Sequence, residues 1–121
     1  MKIPFNVNLS GKTAIVTGGS GTLCSAMAYG LAVSGAKVAL IGRNKEKMSK
    51  VVSELTDNAL KEHNATITIN GYCCNVTDKE ELTKIYEVIK ADLGSCDILI
   101  NGAGGNQPGT ITSTEMLKKE E

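Results

Sequence analysis

Lys12-Thr13-Ala14-Ile15-Val16-Thr17-Gly18-Gly19-Ser20-Gly21-Thr22-Leu23-Cys24, followed by Lys37-Val38-Ala39-Leu40-Ile41-Gly42-Arg43-Asn44, decides the fold. A short apolar run ends in a glycine-rich turn, an amphipathic stretch follows, and a second apolar run closes the unit. That is a strand, a tight turn, a helix and a parallel strand. Such a unit turns backbone N–H groups and a helix N-terminus toward one point, where a pyrophosphate is bound in dinucleotide-binding folds. A glycine turn alone is weak evidence, since any tight strand-to-helix turn favours glycine. Its position in the first βαβ unit raises the ligand reading above a bare turn.

The same alternation runs outward along the chain. Thr13–Thr17 and Val38–Ile41 read as strands, and Leu23–Ser34 as a helix with Ala26, Met27, Gly30 and Leu31 on its inner face. Lys45–Glu62 has Met48, Val52, Leu55 and Ala59 at helical spacing. Thr66–Cys73 reads as the third strand. Thr77 followed by Glu80 forms a capping box that opens a helix to Leu93, with Leu82, Ile85, Ile89 and Leu93 inward. Asp97–Asn101 is the fourth strand, Gly102–Gly109 a small-residue loop, and Thr112–Thr114 a further helix start. Continuous apolar strands separated by helices predict a parallel sheet buried on both faces. The expectation is an α/β fold, a Rossmann-type doubly wound sheet of βαβαβαβ connectivity in the order 3-2-1-4. Residues 1–11 read as a lead-in strand or arm, and residues 1–121 as one dinucleotide-binding domain.

Composition narrows the function. Thirteen basic and thirteen acidic residues cancel, which gives no basic field for nucleic acid or an anionic membrane. The first dozen residues lack the apolar core of a secretory signal. Apolar runs fall far short of the ~20 residues of a spanning helix. Cytoplasm is the default compartment. Cys24, Cys73, Cys74 and Cys96 match no zinc spacing and make a poor disulfide framework. They read as buried, reduced thiols, and no metal site is expected. His63 reads as a solvated helix end.

A second motif, Asp97-Ile98-Leu99-Ile100-Asn101-Gly102-Ala103-Gly104-Gly105, ends a strand in Asn and continues in small residues. With the first turn it resembles the short-chain dehydrogenase/reductase family. That family pairs Thr-Gly-x-x-x-Gly-x-Gly after its first strand with Asn-Asn-Ala-Gly after its fourth. The resemblance runs from about Leu9 to the end. This chain departs from the pattern at three places: the second and third glycines are Thr22 and Cys24, and the second Asn is Gly102. Gly19 and Gly21 are then left to clear space for the pyrophosphate, and a small Cys takes the third glycine's place in helix–strand packing. The stretch from Leu23 to Ala28 together with Asn101–Asn106 looks like the subgroup of D-mannonate oxidoreductases (fructuronate reductases).

The resemblance implies a cofactor site built from Thr17, Gly18, Gly19, Ser20, Gly21, Thr22 and Leu23 at the pyrophosphate. It adds Arg43 and Asn44 at the adenosine ribose, Asn75 and Val76 at the adenine, and Asn101, Gly102, Ala103 and Gly104 along the cleft. An acid at the end of the second strand would read the ribose 2′-hydroxyl of NAD, whereas an Arg accommodates the 2′-phosphate of NADP. Gly42 stands at the acid's position and Arg43 follows, so NADP is the expected cofactor, with NAD the alternative. Arg43 also fits a solvated loop start, and Asn75 a local turn.

The family's general acid lies in a Tyr-x-x-x-Lys motif. Only Tyr86 and Lys90 have that spacing, and they fall inside the third helix, on the wrong element. Tyr86 reads as partly core. No catalytic residue is assigned within these 121 residues. The chain is expected to be the truncated cofactor half of an oxidoreductase and inactive alone. The full-length enzyme would move a hydride between NADP(H) and a small-molecule carbonyl or alcohol such as a sugar acid (fructuronate/mannonate). An unpaired outer edge on the fourth strand makes a homo-oligomer the expected state. The in-class alternatives are a 3-oxoacyl or a polyol/sugar reductase. The rival from another class is a non-enzymatic nucleotide-binding or assembly module.

Overall fold

The computed structural model describes residues 7–18 and 21–102. β1 (Thr13–Thr17) is buried along its whole length, because it lies between two other strands and beneath helices on both faces. α1 (Thr22–Val33), β2 (Lys37–Gly42), α2 (Lys45–His63), β3 (Thr68–Cys73), α3 (Lys79–Leu93) and β4 (Ile98–Asn101) follow in order. The sheet order is β3-β2-β1-β4, and every pairing is parallel. This is the doubly wound topology expected from the sequence.

Alternate strand residues feed two cores. Ala14, Val16, Val38 and Leu40 pack under α1 and α2, joined by Met48 and Ile69. Ile15, Ala39 and Ile41 face the other way, against Ile89 and Leu93 of α3. The inward residues expected for α2 and α3 are the ones found, with Met48, Ala59, Ile89 and Leu93 buried and Val52, Leu55, Leu82 and Ile85 packed at the margins.

α1 differs. Its buried stripe is Cys24, Ala28 and Ala32, not the expected face of Ala26, Met27, Gly30 and Leu31. Ala26 is exposed, while Met27 and Leu31 flank the core. The helix carries apolar or small residues nearly all round, so periodicity does not choose a face. Close approach to the sheet does, and it selects the smallest residues.

The cap of α3 also shifts by one residue. Asp78, not Thr77, is the N-cap, and its Oδ1 accepts from the N–H groups of Glu80 and Glu81 at 3.1 and 3.2 Å. A carboxylate is the stronger acceptor at a helix N-terminus. Thr77 instead donates its hydroxyl to Asn75 Oδ1 at 2.7 Å.

Asp97 precedes β4 as a clip to the start of β1. Its N–H donates to Thr13 O at 2.8 Å, and its Oδ2 accepts from Thr13 N at 2.9 Å. The Thr13 hydroxyl donates to Leu93 O at 2.8 Å. Residues 7–12 form no strand: Leu9 N donates to Ser34 O at 2.7 Å, and a turn brings Lys12 N to Leu9 O at 3.0 Å; the rest of the lead-in expected at residues 1–11 lies outside the described residues. The expected loop beyond Gly102 and the helix start at Thr112–Thr114 lie outside the described residues.

All four cysteines are free, but they are not all buried. Cys24 and Cys74 are buried, Cys96 is intermediate and Cys73 is exposed. Cys73 ends β3 exposed, its thiol donating to Arg43 O at 3.0 Å, whereas Cys74 turns into the core beneath α3. Burial pushes the Cys74 thiol up, and the charges of Glu81 and Asp78 push the same way. His63, as expected, ends α2 exposed, its ring tilted against Tyr29 with centroids 6.0 Å apart.

Candidate functional site

The register of the sheet brings the C-terminal ends of three strands level. Thr17 lies opposite Ile41 on β2 and opposite Asn101 on β4. The Thr17 hydroxyl donates to Asn101 Oδ1 at 2.8 Å, which fixes the orientation of the Asn101 amide. The two sequence motifs thus meet through their strand-end side chains. In open α/β sheets ligands bind at this edge.

The turn after β1 is built from backbone. Gly18 adopts φ +73°, a left-handed conformation that side chains resist. Its N–H donates to Ile41 O at 2.9 Å, and its carbonyl accepts from Gly21 N at 3.0 Å. Gly21 is the N-cap of α1 with no side-chain cap bond, and the first turn of α1 holds no acid. A helix N-terminus left without a side-chain cap or a nearby carboxylate presents its N–H groups and positive dipole end to an anion. A Cβ on Gly21 would lie 3.3 Å from Gly18 O, so the backbone is tight there. Thr22 and Leu23 are exposed beside it, Leu23 at 72%. Gly19 and Ser20 lie outside the described residues.

Two of the three departures from the family pattern touch each other. A Cβ on Gly102 would collide with Cys24 Sγ and come within 3.1 Å of Thr17 O. The thiol occupies the space a side chain at 102 would need. The larger residue on α1 and the smaller one after β4 are therefore complementary in volume. Ala103 and Gly104 lie outside the described residues.

The second strand's end is equally specific. Gly42 carries no side chain, and Arg43 and Asn44 follow it exposed. Arg43 O accepts from the Cys73 thiol at 3.0 Å, and Gly42 O accepts from Cys74 N at 2.9 Å. Asn44 Oδ1 accepts from Lys47 N at 3.0 Å as the cap of α2. Its side-chain oxygen therefore serves the helix. Asn75 makes a local turn: its Oδ1 accepts from Thr77 N at 3.1 Å, and its N–H donates to Glu81 Oε1 at 3.0 Å.

Beside this edge, on the α3 face, lies an apolar cleft of about 540 Å³ bordered by Thr17, Ile41, Val76, Tyr86, Leu99 and Asn101. Val76 is thus placed with Thr17 and Asn101, while Arg43 and Asn75 are not among its walls. Tyr86 stands at the rim, 40% exposed, less enclosed than a core reading implies. Leu99 and Met48 were not among the sequence candidates. Leu99 sits in an unbroken apolar run where no pattern marks its side, and Met48 reads as ordinary core spacing. Among the described residues no group of His, Cys, Asp and Glu is placed to hold a metal ion, and no helix is long and apolar enough to cross a membrane.

Two described features fit a dinucleotide's diphosphate: a helix N-terminus with no side-chain cap bond and no acid in its first turn, and Gly18 in a left-handed conformation at the end of β1. Comparison with known proteins agrees. The family model for short chain dehydrogenases matches residues 12–120. The uncharacterized oxidoreductase UxuB of Bacillus subtilis (strain 168) is 47% identical over 117 residues, covering 97% of this chain and 40% of that protein. Among solved structures, a candidate D-mannonate oxidoreductase from Haemophilus influenzae with bound NAD superposes with a TM-score of 0.73 at 39% identity, covering 91% of this chain and 37% of that one. L-Sorbose reductase from Gluconobacter frateurii, complexed with NADPH and L-sorbose, gives 0.72 at 26% identity over 92% of this chain and 41% of that one. The chain spans about two-fifths of the length of these relatives.

Proposed function

The chain belongs to the short-chain dehydrogenase family, and from that premise we propose that it holds the cofactor of an NADP(H)-dependent oxidoreductase acting on a sugar-derived carbonyl or alcohol. The observation that carries the reading is the N-terminus of α1. It has no side-chain cap and no acid in its first turn, and it opens at the end of a central strand beside Asn101. In this reading residues 1–121 act as one nucleotide-binding unit. The backbone of Gly18–Thr22 and Leu23 receives the pyrophosphate, Arg43 with Asn44 the 2′-phosphate, and Asn75 and Val76 the adenine. Thr17 borders the pyrophosphate turn, and Asn101–Gly104 line the adenosine side of the cleft.

The bound nucleotide would supply the hydride. The residues of this chain bind it, orient it and shield one face of it. Related structures hold NAD or NADPH; the choice of NADP here rests on Gly42 and Arg43, since a guanidinium fork suits a phosphate. The sugar-derived substrate rests on what two similar structures are described as acting on, D-mannonate and L-sorbose. Cytoplasmic residence and homo-oligomerisation belong to the same proposal.

Fluorescence titration of the full chain with NADPH and NADH tests the cofactor half of the reading. Saturable binding of NADPH, tighter than NADH, is the expected result. A protein that binds neither is not a nucleotide-holding unit. A panel of fructuronate, mannonate and ketoses then tests the substrate class by NADPH consumption.

A further inference from the structure

Gly42 and Met48 occupy one space. A Cβ built on Gly42 would lie 2.6 Å from Met48 Sδ, closer than packed atoms tolerate, and 3.3 Å from its Cγ, a tight contact. Met48 must shift its thioether to admit a side chain at 42, and it starts from a packed position. It is 2% exposed, one turn inside α2, and its other side meets β3. There a Cβ on Gly71 would touch Met48 Cβ at 3.4 Å and Cε at 3.7 Å. One thioether therefore fills the gap above two glycines on adjacent strands, at the residue that ends β2.

That position has a chemical meaning. An acid at the end of the second strand of a dinucleotide-binding unit hydrogen-bonds the ribose hydroxyl of NAD. Resting on the function proposed above, we infer that Met48 is a specificity-determining plug: it reserves position 42 for glycine, keeps a ribose-reading carboxylate out, and so leaves the nucleotide choice to the cationic side. The groove next to the plug, about 490 Å³, is walled by Lys45, Met48, Ser49, Gly71 and Cys73 among others, with no acid among its described lining residues. Arg43 stands exposed at the same strand end. Discrimination then works by excluding the competitor's partner as well as by attracting a phosphate. Met48 touches neither the hydride nor the ribose; it acts through residue 42.

The test uses the full chain and four variants: Gly42→Asp, Met48→Ala, the double variant, and Gly42→Ala. Thermal midpoints and dissociation constants for NADPH and NADH are measured for each. Gly42→Asp alone is expected to lower the midpoint and gain no NADH affinity. Adding Met48→Ala is expected to recover midpoint relative to the sum of the single changes and to move the NADPH/NADH preference about tenfold or more toward NADH. Gly42→Ala, which adds only the Cβ, keeps the packing question open to measurement where the aspartate variant does not fold; its loss is expected to shrink in the Met48→Ala background. A Gly42→Asp chain that keeps its midpoint and prefers NADH overturns the plug. So does a double variant no more NADH-preferring than the single. Failure of the wild-type chain to bind either nucleotide overturns the functional reading instead, a result separable from the first two.

Discussion

Arg43 is exposed one residue past β2, with its backbone carbonyl tied to the Cys73 thiol at 3.0 Å. Its backbone is anchored while its guanidinium stands at the strand end where a 2′-phosphate is expected. Arg43→Ala should weaken NADPH binding by about 1–3 kcal/mol, the range of a lost charge-assisted contact, and leave NADH binding nearly unchanged. Paired titrations check this, and an equal loss for both nucleotides shows that Arg43 does not read the phosphate. At this scale the sequence is legible where a residue's chemistry is local. Gly18 in a left-handed turn and an exposed Arg43 follow from their neighbours in the chain. Cys24 against Gly102, or Met48 against Gly42, does not, because each contact is made by the fold and neither partner carries a mark of the other. The cap of α3 falls between the two cases: Thr77 and Asp78 both suit an N-cap, and the structure uses the carboxylate.

Between elements, two contacts show how the helices are set on the sheet. The first joins α1 to the end of β4. Gly102→Ala drives a methyl group into Cys24 Sγ, and overpacking of this kind costs about 1–3 kcal/mol. Cys24→Ala removes the sulfur. The double variant is expected to be more stable than the sum of the single changes predicts, with a coupling of about 0.5–3 kcal/mol by denaturant unfolding; simple additivity refutes the complementarity. The second contact joins β3 to α3, where Tyr72 OH donates to Asp92 Oδ2 at 2.9 Å. Burial pushes the Tyr72 phenol up, Asp92 adds to the rise, and the Asn70 amide offsets part of it. A folded value above the unfolded one, about 10, favours the protonated fold. Its stability is therefore fully present below pH ~10 and lost as pH rises through the folded value. Thermal midpoints should fall more steeply above pH ~10 for the wild type than for Tyr72→Phe. Parallel slopes remove Tyr72 from the account. The element pattern itself was readable: helical spacing gives the buried faces of α2 and α3. That of α1 was not, since small apolar residues surround the helix and spacing carries no contrast.

Across the whole molecule, burial is graded from the middle of the sheet outward. β1 is buried throughout, β2 nearly so, while β4 alternates between half-buried and exposed positions and β3 buries only Ile69. The topology could be anticipated because continuous apolar strands demand cover on both faces and crossovers are right-handed. The apolar cleft could not, since its walls come from β1, β2, β4 and α3 together. Local opening tracks burial and backbone pairing. Amide exchange in the full chain should therefore be slowest at Ile15, Val16, Ala39 and Leu40 and faster by at least about tenfold at the outer positions of β3. Uniform protection across the strands contradicts this gradient.

The pairing of β1 with β4 has a mechanical consequence. β1 and β4 run parallel in register from Ala14 with Ile98 to Thr17 with Asn101. Tension applied at Lys12 and Gly102 enters at opposite ends of this pair and runs along the strands. The ladder is then loaded in shear, all its hydrogen bonds at once, instead of being peeled bond by bond. The double link between Asp97 and Thr13 sits at one end of that ladder and the Gly102 N–H donating to Thr17 O at 3.2 Å at the other. A pull along this axis therefore meets all four registered pairs of the β1–β4 ladder together.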